Sequence, residues 1–186
     1  TIERFLSYDS DISIVIALPE AHLNYWEEIV TSLTHPIQTV KGGKTRFHSV
    51  KNALDVVENS VDLVAVHDAV RPLVNVETIT KAFENALKHK AAVPTMLPSA
   101  SLRVVTKEGS KAVNRSDYRE VQTPQVFNAN ILRGSYKQPY QDWMTDDASV
   151  VEAKGHTICT FEGNRENIKI TYPHELLVAE TLLKKS

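Results

Sequence analysis

Directly behind the apolar run Leu63-Val64-Ala65-Val66, the segment His67-Asp68-Ala69-Val70-Arg71-Pro72 sets a carboxylate and a guanidinium three residues apart. An acid and a base at the carboxyl end of a buried strand are what a magnesium nucleotide site uses, and the same pair serves equally as an ion pair that closes the strand. Lys41-Gly42-Gly43-Lys44-Thr45-Arg46-Phe47-His48-Ser49 is a glycine pair with basic flanks running into a helix. There backbone N–H groups, the helix dipole and cations can face an anion or a nucleotide base, although a glycine pair before a helix is also ordinary turn chemistry. Lys169 stands on a β-prone segment behind Gly163-Asn164-Arg165-Glu166-Asn167, either solvated or aimed at a phosphate. Thr145-Asp146-Asp147-Ala148-Ser149 is a helix start whose threonine and first amides can hold an anion, while capping alone accounts for Asp146. In Thr123-Pro124-Gln125 a proline interrupts a strand, the mark of an edge or a bulge.

Other chemistries find no support. The seven histidines are scattered, none at an i, i+4 spacing beside a glutamate, which argues against a zinc hydrolase. There is no G-x-S-x-G elbow, and the lone Cys159 lies in an apolar strand as a small core residue.

The elements that must carry these residues alternate. An amphipathic helix over Thr1 to Tyr8 precedes an apolar strand, Asp11 to Leu18, stopped by Pro19. Leu23, Trp26, Ile29, Val30 and Leu33 then recur at helical spacing over 20–35. A helix after Gly43 carries Phe47, Val50, Leu54 and Val57. Val61 to Val66 is a second strand; Asn75 caps a helix with Val76, Ile79, Phe83, Ala86 and Leu87 inward; Ala91 to Leu97 is a third strand. Leu102 to Thr106 and Lys111 to Arg115 flank Lys107-Glu108-Gly109-Ser110 and read as a polar hairpin that needs a surface to pack on, such as a second subunit. A strand at Val121 to Phe127, a helix around Asn130 to Gln138, a helix from Asp146 to Lys154 stopped at Gly155, strands at Thr157 to Glu162 and Asn167 to Ile170, and a final helix from Pro173 complete the pattern. Leu176, Leu177, Ala179, Leu182 and Leu183 are expected inward on that last helix. Such alternation predicts one α/β domain over 1–186, a mainly parallel twisted sheet covered by helices on both faces, with a hairpin arm at about 100–120.

Composition bounds the partners. With 186 residues, 42% of them hydrophobic, and 21 Lys and Arg against 23 Asp and Glu, the chain is near neutral (formal charge −2), so no nucleic-acid surface is expected. No apolar run approaches the roughly 18 residues of a membrane span. One cysteine permits no internal disulfide, and a reducing, cytoplasmic setting is expected.

In order, G-G-x-x-R-x-x-S-V (42–50), V-H-D-A-V-R-P (66–72), Q-T-P-Q-V-F (122–127), T-D-D-A-S (145–149) and E-G-N-R-E-N-I-K-I-T (162–171) closely resemble the 2-C-methyl-D-erythritol 4-phosphate cytidylyltransferases. The likeness runs over nearly the whole chain, and is shared in part with ribitol-5-phosphate cytidylyltransferases. It implies a Rossmann-like nucleotidyltransferase, a Mg²⁺-dependent homodimer joined through the hairpin arm, that transfers CMP from CTP to a sugar-alcohol phosphate with loss of pyrophosphate, a step of non-mevalonate isoprenoid synthesis. By the same likeness Gly43 and Ser49 lie by the cytosine, Asp68, Ala69 and Arg71 by the ribose, phosphates and metal (Asp68 as metal ligand), and Thr145 and Lys169 by the phosphates. Ser101, Arg115 and Thr123 reach the acceptor phosphate, some of them across the dimer; Lys169, Arg115 and Asp68 are the expected catalytic groups. Such a reaction needs no conventional base, because a phosphate monoester with a second pKa near 6 is already largely a dianionic nucleophile. It does need cations to screen charge, which suits Arg71, Arg115, Lys169 and Mg²⁺.

The chain departs from the family pattern twice. No strand with a glycine-rich, Arg- and Lys-bearing triphosphate loop precedes Thr1, so the chain is expected to be part of a longer product; a variant or a non-catalytic nucleotide-binding module without that loop is the alternative. Ala100 stands where relatives usually carry Asp, which leaves acceptor identity, methylerythritol phosphate or ribitol phosphate, open.

Overall fold

A computed structural model describes residues 1–31 and 33–184. Helix α1 (Ile2–Tyr8) leads into strand β1 (Ile14–Leu18), a short 3-10 turn and helix α2 (Leu23–Val30), then strand β2 (Ile37–Lys41) and helix α3 (Arg46–Leu54). Strand β3 (Leu63–Val66), helix α4 (Val76–His89) and strand β4 (Ala91–Met96) follow. A hairpin, β5 (Arg103–Thr106) and β6 (Gly109–Ala112), then β7 (Glu120–Val121), β8 (Gln125–Asn128), α5 (Ala129–Ser135), α6 (Asp147–Glu152), β9 (Cys159–Glu162) and α7 (Pro173–Leu183) complete the chain.

Apart from the β5–β6 hairpin, a two-stranded sheet of its own, the strands divide into two sets. β1 and β2 pair in parallel with each other. In the larger sheet β3 pairs with β8, β8 with β4, and β4 with β9 on its other edge. β4 and β9 are parallel, and β3 and β4 share a direction because both oppose β8. β7 and β8 are one reversed strand lying along β4, broken where Gln122-Thr123-Pro124 turns toward a cleft past the end of β3. The main direction is therefore parallel, with one antiparallel strand threaded through it.

Alternation along each strand sorts the core into two layers. On one face Ala91, Val93 and Phe127, with Val64 and Val66, meet Phe47, Leu54, Leu132, Tyr136, Val150 and Val151 from α3, α5 and α6. On the other, Ala92 and Val126, with Leu63 and Ala65, meet Ala82, Ala86 and Phe83 of α4, and Phe5 of α1 packs with Val74 and Ile79 beside them. The Asn75 side chain accepts from the Thr78 N–H at 2.8 Å and so starts α4, as its position at the N-cap requires.

Several sequence expectations need correction. Strand β2 was hidden because Gln38, Thr39 and Lys41 dilute its apolar pattern. The helix expected over 20–35 is shorter: α2 ends at Val30 and buries no residue fully. Leu87 is 62% exposed, because α4 turns Ala82 and Ala86 to the sheet instead. The segment 167–170 is not a strand; it is an irregular loop held by side-chain amides. Arg115 falls in a 3-10 turn rather than on a strand, and the hairpin connection is two residues, since Thr106 pairs with Gly109. On α7 only Ala179 is buried; Leu176 and Leu177 are 50% and 65% exposed.

Candidate active site

Just past the end of β3, the carboxylate of Asp68 collects three cations. Arg46 Nε stands 3.1 Å from Oδ1, while Lys169 Nζ at 3.1 Å and Arg71 Nε at 3.4 Å share Oδ2. They come from the first residue of α3, the loop after β3 and the loop before α7, so one acid ties three elements together. Burial alone would push the Asp68 carboxyl up, but Arg46 and Lys169 outweigh it and hold the group below the usual carboxylate range. Without Asp68 the three like charges would repel one another, so the acid gathers them into one cluster.

The two arginines are themselves held from behind. Arg71 donates through Nη1 to the Asn167 carbonyl at 2.7 Å and through Nη2 to the Val121 carbonyl at 3.3 Å. Arg46 Nη2 reaches Asp147 Oδ2 at 2.7 Å, and the Tyr136 hydroxyl donates to Asp147 Oδ1 at 2.6 Å. Asp147 is fully buried, so this anion in the floor fixes Arg46 with little water to screen it. The pairing raises the Arg46 guanidinium above its ordinary value against the opposing effect of burial, and burial with the Asp147 charge raises the Tyr136 phenol.

The walls follow from local rules. Asp146 starts α6 with a capping box, its Oδ1 accepting from the Ser149 N–H at 2.9 Å. Gln125, fully buried, donates to Asp146 Oδ2 and accepts from the Ala148 N–H, both at 2.9 Å, which clips β8 to the α6 N-terminus and turns Thr145 to the opening. In the loop before α7, Asn164 donates to the Leu73 carbonyl at 3.1 Å and accepts from Thr78 Oγ1 at 3.2 Å, while Asn167 donates to the Thr123 carbonyl at 2.8 Å. A Cβ on Gly163 would meet Gln122 Oε1 and force that side-chain end to shift, so glycine lets this loop lie against the 122–124 turn with Gln122 in place. These amides carry an irregular segment through the protein and deliver Lys169 to Asp68.

The result is a cleft of about 200 Å³ lined by Arg46, Asp68, Arg71, Thr123, Thr145 and Lys169 among others. A second hollow of about 260 Å³ shares Arg71 and Lys169 and extends to Ser99, Glu120 and Arg165. Its lining carries three cations, Arg46, Arg71 and Lys169, against two acids, Asp68 and Asp146, a balance that can attract an anion.

The family model described as "IspD: 2-C-methyl-D-erythritol 4-phosphate cytidylyltransferase" matches residues 1–185. The chain belongs to this family. It is 46% identical to the 2-C-methyl-D-erythritol 4-phosphate cytidylyltransferase of Phocaeicola vulgatus, over 98% of this chain and 84% of that one. It is 45% identical to that of Porphyromonas gingivalis ATCC 33277, over 98% of this chain and 82% of that one. Among solved structures, the cytidylyltransferase of Thermus thermophilus superposes with a TM-score of 0.78 at 30% identity, covering 98% of this chain and 88% of that one. The 4-diphosphocytidyl-2C-methyl-D-erythritol synthase of Anaerococcus prevotii gives 0.89 at 22% identity, over 99% and 84%, a likeness of fold.

Of the residues singled out by sequence, the fold brings Asp68, Arg71, Thr123, Thr145 and Lys169 to one cleft. Gly43 and Ser49 form a closure of their own at the start of α3: the Gly43 N–H donates to Ser49 Oγ at 3.0 Å, and Ser49 Oγ donates to the Thr45 carbonyl at 3.1 Å. A Cβ at Gly43 would strike the Cβ of His48, so the close approach demands glycine. Ala69 is exposed beside Asp68. Ser101 and Arg115 stand apart, exposed at the foot of the hairpin, with Arg115 donating to the Ser99 carbonyl at 2.7 Å. Sequence reasoning passed over Arg46, Gln125, Asp147 and Tyr136. The arginine of G-G-x-x-R at a helix start was the available signal for the first; nothing local marks Tyr136 as the partner of Asp147.

Proposed function

We propose that the chain, as a member of its family, transfers CMP from CTP to 2-C-methyl-D-erythritol 4-phosphate, yielding 4-diphosphocytidyl-2-C-methyl-D-erythritol and pyrophosphate in non-mevalonate isoprenoid synthesis. The observation that carries the reading is the convergence of Arg46, Arg71 and Lys169 on one carboxylate in a cleft built from the family's own motifs. An acceptor phosphate oxygen attacks the α-phosphorus of CTP; a new P–O bond forms, the α–β bridging P–O bond breaks, and its electron pair leaves with pyrophosphate. No protein base is required, because the nucleophile is already anionic. Lys169 and Arg71 screen the approaching dianion from the triphosphate and stabilise the charge that builds on the α-phosphoryl oxygens. Their ties to Asp68, Asn167 and Val121 hold them in place before substrate arrives, so little reorganisation remains for the reaction itself.

Gly43 and Ser49, with exposed backbone at the α3 N-terminus, receive the cytosine in this reading; Ala69 and Arg71 border the ribose and phosphates, Thr145 the phosphates, and Ser101, Arg115 and Thr123 the acceptor. A Mg²⁺ ion fits one way. Among the described residues no three His, Cys, Asp or Glu side chains converge, so the protein offers no cage, but Mg²⁺ is commonly bound by one or two carboxylates plus substrate phosphates. Asp68 would hold it, and the bound ion would neutralise phosphate charge. The single domain acts as a homodimer through the hairpin arm: all of β5 and β6 is exposed, with Val105 at 78%, and an isolated two-stranded ribbon is marginal without a partner surface. A cytoplasmic setting belongs to the same reading, since CTP and sugar phosphates are too highly charged to cross a bilayer unaided.

The test is pyrophosphate release from CTP and Mg²⁺ with 2-C-methyl-D-erythritol 4-phosphate and ribitol 5-phosphate as parallel acceptors. Release with the first alone is expected; release with ribitol 5-phosphate alone would reassign the substrate, and silence with both would overturn the reading.

A further inference from the structure

The three cations that crowd the Asp68 carboxylate are not held equally. Arg46, its side chain 31% exposed, is anchored on its far side by the buried Asp147. Arg71, 11% exposed, donates to the Asn167 and Val121 carbonyls as well as to Asp68. Lys169 is 47% exposed, and among the described residues Asp68 Oδ2, at 3.1 Å, is the one partner of its ammonium. Its four-carbon stem is flexible, while Asn164 and Asn167 fix the loop that carries it. Lys169 is thus the member of the cluster whose charged end can leave without breaking any other bond. Arg46 takes Asp68 Oδ1, so a divalent ion drawn to this carboxylate meets Oδ2, the oxygen that Lys169 covers. An ion of charge two added to three cations is repelled by all of them, and the repulsion is relieved at least cost by releasing the most loosely tied.

Building on the transferase reading, in which Asp68 meets a Mg²⁺ ion that accompanies the triphosphate, we propose that Lys169 is a stand-in counter-ion. In the resting protein it occupies the Asp68 oxygen that the metal needs, and it cedes that oxygen when the metal enters, which frees its ammonium to turn to the phosphates. Before that exchange Lys169 keeps Asp68 from confronting an approaching polyanion as a bare negative charge. The change is the swing of one side chain. The loop backbone and both arginines keep their places, so the cleft stays organised throughout. Lys169 is thereby tied to metal affinity, which a role confined to phosphate binding would leave untouched.

Mn²⁺ without nucleotide is the probe, its binding followed by water-proton relaxation. Lys169→Met keeps an unbranched stem and removes the charge; it is expected to bind Mn²⁺ at least about fivefold more tightly than the unmodified chain, the upper end of what one exposed ion pair is worth. Lys169→Arg keeps the charge and should stay within about twofold of the unmodified chain. Adding Asp68→Asn to Lys169→Met should abolish the gain, which locates the ion. An affinity that Lys169→Met weakens or leaves within about twofold, an equal gain in Lys169→Arg, a gain that survives Asp68→Asn, or no binding to any variant would overturn the proposal. In crystals soaked in Mn²⁺, anomalous scattering at Asp68 with Lys169 Nζ out of hydrogen-bond distance of Oδ2 supports it, and an ion there with Nζ still in place refutes it. None of these readouts uses turnover. A chain that exchanges Lys169 for metal yet transfers no CMP would fail the transferase reading alone; CMP transfer with Mn²⁺ affinity unmoved by Lys169→Met would fail this proposal alone.

Discussion

The Asp68 cleft and the hairpin arm are both rich in charge, and they are built on opposite principles. In the cleft several ionic groups are held by two or more partners: Arg46 by two acids, Arg71 by one acid and two carbonyls, Asp147 by a tyrosine and an arginine. In the arm Lys107, Glu108 and Lys111 point to solvent, and β5 and β6 touch only each other in the ladder. Rigid, multiply tied charge is what stabilises a developing anion without reorganisation. Solvated charge on an unpacked ribbon stabilises little by itself and leaves that surface free to meet another molecule. The contrast separates the proposed chemistry, which the cleft of one chain would carry, from the proposed dimer, which would use the arm.

The strongest way to break that contrast is at the buried anchor. Asp147→Ala takes the acceptor from the buried Tyr136 hydroxyl and leaves Arg46 with Asp68 as its remaining acid, and is expected to cost about 3 kcal/mol, the low end for loss of one partner of a buried pair; urea unfolding measures it, and a cost under about 1 kcal/mol would mean the floor is wetter than its geometry. At the cleft surface Lys169→Ala removes a half-exposed cation, so stability should hardly change while kcat falls about 10²–10³-fold. Equal turnover in the variant would remove Lys169 from the transition state.

A third effect comes from His67. Its pKa is about 4 when folded against 6.5 for the free side chain, so the unfolded chain binds more protons between those values. The stability it contributes is complete above about pH 6.5 and is lost as pH falls toward 4, an amount on the order of 3 kcal/mol. Denaturation midpoints of the metal-free protein across that range should flatten in His67→Asn; an unchanged slope would assign the acid sensitivity elsewhere. The smallest expected change belongs to the arm: deleting Lys107 to Ser110 should move the unfolding free energy of the monomer by no more than about 0.5 kcal/mol, yet weaken self-association in sedimentation. A monomer–dimer constant that does not move would dissociate the arm from assembly.

Much of the scaffold was legible because it depends on short-range rules. Asn75 and Asp146 announced the helices they cap, Pro19 closed β1, and the apolar runs at 63–66 and 91–96 are strands buried by helices. The hairpin was visible from two short β-prone segments around a glycine-bearing connection, although that connection proves to be two residues, set by the pairing of Thr106 with Gly109. Reading failed where a segment takes its conformation from distant partners. Residues 167–170 look β-prone, yet the loop that carries them is held by Asn164, which bonds to Leu73 and Thr78, and by Asn167, which bonds to Thr123, so side-chain amides replace a ladder. On α7 leucines imply burial, but Ala179 alone is buried, because how much of a helix is covered depends on what lies beside it.

The sequence by itself determined most of the order of elements, β2 and the 167–170 loop excepted, the family and the residue types of the cleft, since capping, periodicity and motif spacing all act within a few residues or survive as blocks. Only the tertiary structure decided that Arg46 bridges Asp68 and Asp147, partners 22 and 101 positions away, and that His67 faces Thr123 across 56. Electrostatic and hydrogen-bond energies depend on distance in space and on exclusion of water, and chain separation carries no information about either until the sheet has brought the loops together.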